Sequence, residues 1–386
     1  MTRSMQLVWA TETPPSSFSS AIFLAGPTPR SDQTESWRPQ CLSLLEQRGY
    51  DGVVFIPEPR SGEAFSNYDS QVEWERMGLA MADVILFWVP RDLSDMPAFT
   101  TNVEWGMWYD SGKAVFGAPS SAPKNTYLRH YAKRAGVPHC NTLESTVDAT
   151  LEMVGEGALR HGGEREVPLF IWCRDEFQNW YASHREVGHR LDGAEVLWQF
   201  RVGSKRHLFC WVLRANLHVP EENRNKRGEF LITRVDVALV LAWHRADDPL
   251  DSEVVLVKEF RSAASGGDGY VWELPGGSSF QPASPLEQAS AELLEETGIS
   301  LPADRFHLVD TRQSTSTLLT HRIHLFSVEL NDGEIDVIRA QCGTVHGDSP
   351  TERCILHVQT LRQMLNNQSI DWTQLGMVYS TIFGRP

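Results

Sequence analysis

Three glutamates, Glu292, Glu295 and Glu296, are spaced i, i+3 and i+4 within PLEQASAELLEETGI. If that stretch is helical, one face carries three carboxylates, which repel one another unless a cation sits between them. Clustered oxygen ligands suit Mg²⁺ or Mn²⁺; the competing reading is a solvated acidic helix face. A second group of polar residues lies near the N-terminus, where Gly26-Pro27-Thr28-Pro29-Arg30-Ser31 follows an apolar run that reads as a strand. The carboxyl end of such a strand is where doubly wound folds bind ligands. Gly26 permits close approach, and Thr28, Arg30 and Ser31 offer two hydroxyls and a cation, although Arg30 reads equally as a solvated loop charge. Farther on, Glu104 of TTNVEWGMW stands in the opening turn of a short helix. The backbone dipole there favours an ionised carboxylate, as a nucleophile requires, but glutamate is also common at such sites merely as a dipole partner. Asn102 reads as the cap of that helix or as a contact to a ligand hydroxyl.

The elements that must hold these groups are legible in outline. IFLAGP (22–27), GVVFIPEP (52–59), ADVILFWVP (82–90) and KAVFGAP (113–119) are short apolar runs, alternating with helical stretches at 36–49 and 68–81 and a short helix closed by Gly112. This is the pattern of a doubly wound, flavodoxin-like α/β domain with a parallel sheet, assigned to residues 1–155. Residues 156–166 are polar and glycine-rich and read as a linker. From 167 to 386 the character changes. Strands are expected at 208–219, 231–243, 253–260 and 321–329, with a helix at 285–297, an α+β arrangement. Residues 175–190 read as a helix packing on the second domain or bridging the two.

IFLAGPTPR, EWERMGLAMADVILFWVPRD and TTNVEWGMW together resemble the nucleoside 2-deoxyribosyltransferase-like family, over roughly the first third of the chain. The resemblance implies an N-glycosidic reaction on a nucleoside or nucleoside 5′-monophosphate, with Glu104 as the nucleophile at the sugar's anomeric carbon. An ionised carboxylate can capture or stabilise the oxocarbenium character that builds there. The acidic partner of the family lies about two helical turns before the strand-opening Asp83, which lands on Glu75, with Glu73 on a different helix face. Glu75 departs from the Asp usual at this position. The resemblance also makes Gly26, Thr28, Arg30 and Ser31 a 5′-phosphate loop, and places Asp83 and Asn102, the latter as a partner to a sugar hydroxyl, with the substrate-binding residues. Trp74, Trp88, Trp105 and Trp108 read as core fillers or as surfaces for a base. No cofactor is implied for this domain.

Residues 276–299, preceded by WELP, resemble the Nudix signature without insertion, the box itself running 277–299. Gly277, Glu292, Leu293, Glu295, Glu296, Gly298 and Ile299 fill their slots, whereas Ala283 and Ala291 replace a glutamate and an arginine. The resemblance implies a Nudix fold, with Glu292, Glu295 and Glu296 holding Mg²⁺ or Mn²⁺ for attack on a nucleoside diphosphate derivative. The missing arginine would loosen that acidic cluster, which leaves open a non-catalytic module that senses a nucleotide and regulates the first domain. Glu287 reads as part of a capping box with Ser284, with Pro285 at the first helical position. Arg234, Glu259, Arg261 and Glu273 are candidates for the cleft or for surface ion pairs.

Composition restricts the partners. The 386-residue chain has a formal net charge of -15, which opposes a broad basic face for polymeric nucleic acid and leaves small phosphorylated metabolites, bound in a local pocket. Six cysteines occur without C-x-x-C pairs, so neither a zinc site nor a disulfide framework is expected, and a cytoplasmic setting fits. No segment has signal-peptide or membrane-span character. A homo-oligomer is expected from the resemblance to deoxyribosyltransferases.

Overall fold

The computed structural model describes residues 4–31, 33–60, 65, 67–203, 206–265, 267–279, 283–347 and 353–384. The chain forms two compact units, Met1–Leu231 and Ile232–Pro386. Among the described residues no helix is long and apolar enough to cross a membrane.

The first unit is built on strands β1 (Gln6–Ala10), β2 (Ala21–Ala25), β3 (Val53–Pro59), β4 (Val84–Trp88), β5 (Ala114–Gly117) and β6 (His139–Cys140). They pair in the order β1-β3-β2-β4-β5-β6, all parallel. Helices α1 (Arg38–Gln47), α2 (Tyr68–Met81), α3 (Phe99–Trp108) and α4 (Thr126–Ala135) lie between successive strands, and α5 (Leu143–Val154) follows β6. β2, β4 and β5 are buried on both faces, which is why their sequences are unbroken apolar runs. Ala21, Phe23 and Ala25 enter one core with Trp74 and Trp105, and Ile22 and Leu24 the opposite one with Trp37 and Leu45. Chain order reverses beside β2: α1 leads to β3 on one side, and α2 leads back to β4 on the other. The carboxyl ends of β2 and β4 therefore border the crevice where sheets of this kind take ligands.

The boundary between units differs from the sequence reading. Residues 156–166 are packed into the first unit. Arg160 is fully buried against Asp83, residues 160–161 pair with 17–18, and Gly162–Glu166 forms a 3-10 helix. Helix α6 (Asp175–Glu186) packs in the first unit too, its Phe177 and Tyr181 meeting Leu191, Trp211 and Leu213 of strands β7 (Arg190–Val202) and β8 (His207–Val219), beside β9 (Arg224–Arg234). Amphipathic spacing alone could not say which core would receive that apolar face.

The second unit holds a mixed sheet of β10 (Val237–His244), β11 (Glu253–Phe260), β12 (Tyr270–Glu273), β13 (Gly276–Gly277), β14 (His307–Arg312), β15 (Ile323–Glu329), β16 (Val345–His346) and β17 (Cys354–Thr360). β10 and β15 are parallel; the remaining pairs are antiparallel. The strand expected at 231–243 is broken before β10, where Asp236 turns its carboxylate to Arg322 N and His324. Helix α7 (Pro285–Thr297) covers one face through Ala289 and Leu293. Its ends obey local chemistry: Ser284 and Glu287 form a reciprocal capping box, Pro285 occupies the first turn, and Gly298 closes the helix at φ +73. Glu287 is thus a capping residue. Residues 280–282, within the signature, lie outside the described residues.

Candidate active site and a buried carboxylate cluster

A cleft of about 290 Å³ opens at the carboxyl ends of β2 and β4, near the low end for small-ligand sites. Gly26, Thr28 and Arg30 form one wall, Glu75 and Gln71 of α2 another, and Pro97 to Thr101 with Glu104 of α3 a third, while Arg38 also lines it. Gly26 adopts φ +154, and a Cβ there would lie 2.2 Å from Trp88 O, so only glycine lets the loop turn away from the neighbouring strand. Glu104 is pushed up to about 7, first by burial and then by the charge of Glu75, with Arg38 pulling it back. Burial also raises Glu75, opposed by a 2.9 Å hydrogen bond donated by Gln71 and by Arg38. Two carboxyls in one cleft are thus both driven toward their neutral forms, and the charge of one raises the proton affinity of the other.

In the second unit, Glu259, Glu296 and Cys354 are buried and offer ligand atoms within 4.8 Å of one another. Glu296 accepts a 2.8 Å hydrogen bond from Gly276 N and is pushed up to about 8 by burial, with Glu292 and Glu259 adding to the rise. Arg261 bridges Glu259 and Glu273 at 2.8 and 2.7 Å. Glu292 packs against Gly277, where an added Cβ would come within 2.4 Å of its Oε1, and accepts from Gln288. Ala283 lines a cavity of about 150 Å³ with Asp236, Gln288 and His324, and Ala291 is exposed.

Residues 19–122 match the family model described as nucleoside 2-deoxyribosyltransferase like. A comparison with curated proteins finds no match. Among solved structures, one titled "Crystal structure of ADP compounds hydrolase" is 14% identical, with a TM-score of 0.32, covering 50% of this chain and 94% of that chain.

Within the first unit, Gly26, Thr28, Arg30, Glu75 and Glu104 come together in the cleft, and three expected site residues do not line it. Asp83 is buried, accepting from Ala21 N at 2.9 Å and Leu169 N at 3.0 Å and pairing with Arg160, so its role is to tie the sheet to residues 160–169. Ser31 is hydrogen-bonded to Asp95, which steadies the loop from outside. Asn102 does not cap α3, because the helix begins after Ala98 in the left-handed conformation (φ 57). It accepts instead from Arg91, which also donates to Pro97 O and so holds that wall in place. The same early start puts Glu104 sixth in the helix, beyond the first turn; burial outweighs the dipole, and its proton is held more tightly, contrary to the sequence expectation. Glu73 faces away and pairs with Arg76.

Trp74, Trp88 and Trp105 are core residues, and the aromatic ring in the cleft wall is Phe99, with the Arg30 guanidinium 5.6 Å from its centroid. Sequence reasoning also missed Arg38, Gln71 and Cys354. Gln71 stands one turn before Glu75, a spacing that could have flagged it. Arg38 and Cys354 carry no local signal, since their partners are distant in the chain.

Proposed function

We propose that the first unit cleaves or transfers the N-glycosidic bond of a nucleoside or nucleoside 5′-monophosphate. The observation that carries this reading is the pairing of Glu75 and Glu104 across one cleft at the reversal of strand order, beside Arg30 and Thr28. In the reactive form Glu104 is the ionised carboxylate and Glu75, which burial drives toward its neutral form, holds the proton. As the bond between the anomeric carbon and the base nitrogen breaks, a Glu104 oxygen bonds to that carbon and the proton of Glu75 passes to the departing base. Water or a second base then releases the sugar.

The test is a chromatographic screen of nucleosides and their 5′-monophosphates for free base. If Arg30 and Thr28 receive the phosphate, Arg30→Ala raises KM for the monophosphate about 10–100-fold and leaves the nucleoside nearly unaffected, a loss of charge-assisted hydrogen bonds. Equal effects on both substrates would remove Arg30 from phosphate recognition.

For the second unit we propose a Nudix-like fold in which Glu292, Glu295 and Glu296 serve a divalent cation, Mg²⁺ or Mn²⁺, and a nucleoside diphosphate derivative is the ligand. What supports such an ion is the crowding around Glu296, which lies with Glu259 and Cys354 within 4.8 Å and is pushed up to about 8 chiefly by burial, with Glu292 and Glu259 adding to the rise. When bound, the cation would polarise a diphosphate and activate water. A sensing module is the second reading, favoured by Arg261, which already compensates Glu259 and Glu273. Incubation with a panel of nucleoside diphosphate derivatives separates the two. Mg²⁺-dependent monophosphate release, lost in Glu296→Gln, supports catalysis; saturable binding without turnover supports sensing.

A further inference from the structure

We propose that Arg38 is the positioning residue of the first unit's cleft, a buried guanidinium clamped by Glu58 that both shapes the Gly26–Thr28 loop and balances the charge of Glu75 and Glu104. This rests on the N-glycosidic reading of the cleft. Arg38 opens α1 and is 1% exposed. Nε donates to Leu24 O at 3.2 Å, Nη1 to Thr28 Oγ1 at 3.0 Å and to Glu58 Oε1, and Nη2 to Gly26 O at 2.8 Å. One planar group thus ties the end of β2, at Leu24, to Gly26 and Thr28 of the loop that bounds the cleft, a task a lysine cannot perform with a single point charge. Glu58, at the end of β3, is itself held by Ser36 Oγ at 2.9 Å, so the clamp is rigid on both sides.

The charged and titratable groups around Arg38 come from every neighbouring element: Glu58 from β3, Glu75 from α2, Glu104 from α3 and Cys41 from α1, with Arg30 on the loop lining the same cleft. Arg38 pulls both cleft carboxyls down against burial, and Glu58 absorbs part of that positive charge. Removing Arg38 and removing Glu58 must therefore move the cleft pair in opposite directions. A residue that only maintained the fold would not produce opposed shifts.

The test is the pH dependence of kcat/KM for base release, together with a carbon-13 NMR titration of the Glu104 carboxyl, which needs no turnover. Arg38→Met is expected to move the acidic limb and the titration up by about one pH unit, and Glu58→Gln to move both down by a similar amount. Arg38→Lys keeps the charge and loses the clamp, so the limb stays near that of the wild type while KM rises. Shifts in one direction for both charge variants, or none, overturn the assignment. If Arg38→Met does not fold, Glu58→Gln and Arg38→Lys decide. Should wild-type protein release no base from any substrate, the N-glycosidic reading fails, and the NMR titration still judges Arg38. Should base release depend on Glu104 while neither titration moves, only the assignment of Arg38 fails.

Discussion

Glu104→Gln protein is expected to lose base release by about 10³-fold or more, and yet to unfold at a higher temperature than wild type at pH 8. The two effects share one cause. A carboxyl moved from its ordinary 4.5 to about 7 is a group that folding has pushed toward neutrality. Between those values the folded protein binds the proton more tightly than the unfolded chain does. The stabilisation is complete below pH 4.5 and is lost as pH climbs through about 7. At pH 8 the folded protein carries an ionised carboxylate in an unfavourable place. The shift corresponds to about 3 kcal/mol, reduced to about 1–2 kcal/mol because the cleft opens to solvent, and glutamine avoids that cost. Thermal unfolding at pH 4 and pH 8 reads this directly: the variant gains a few degrees at pH 8, on the order of 2–4 °C per kcal/mol, and next to nothing at pH 4. Stabilisation with retained base release would remove Glu104 from the reaction. Inactivity without stabilisation would mean that its carboxyl is solvated in solution.

Local chemistry separates what could be read in the sequence from what could not. The ends of α7 are legible because every signal, Ser284, Pro285, Glu287 and Gly298, lies within or next to the helix. β2, β4 and β5 are legible because burial on both faces demands uninterrupted apolar residues. The start of α3 is not, since Ala98 carries no capping side chain and reaches a left-handed backbone that nothing in PAFTTN announces. Asn102 looked like the cap because its residue type suits one. Of the cleft, the two carboxyls and the loop were readable as motifs. Arg38 was not, because what gives it a role is a set of carbonyl and side-chain oxygens on β2, its loop and β3. The same blindness affected residues 156–166, whose glycines and charges have the composition of a linker while Arg160 among them is buried to 0%.

Arg160→Met is expected to destabilise the first unit by about 3–5 kcal/mol, the largest stability effect the structure predicts. The side chains of Arg160 and Asp83 are 0% and 1% exposed. Arg160 Nη1 and Nη2 reach the two oxygens of Asp83 at 2.7 and 2.6 Å, and further bonds run to Val167 O and Ser19 O. Asp83 in turn collects Ala21 N and Leu169 N. Methionine fills much of the arginine's volume, so the cost falls chiefly on the carboxylate left behind in a dry site without the counter-charge bonded to it, with buried Lys113 the cation that still acts on it. Asp83→Asn removes that charge while keeping one oxygen for a backbone donor. The double variant, Asp83→Asn with Arg160→Met, is therefore expected to be more stable than Arg160→Met alone by about 1 kcal/mol or more, a coupling that distant, independent sites do not show. Urea unfolding of the full chain, followed by tryptophan fluorescence, measures each step. A first transition unmoved by Arg160→Met would return residues 156–166 to the status of a linker. A double variant no better than the single one would place the lost energy in the carbonyl contacts of Arg160 rather than in its pairing with Asp83.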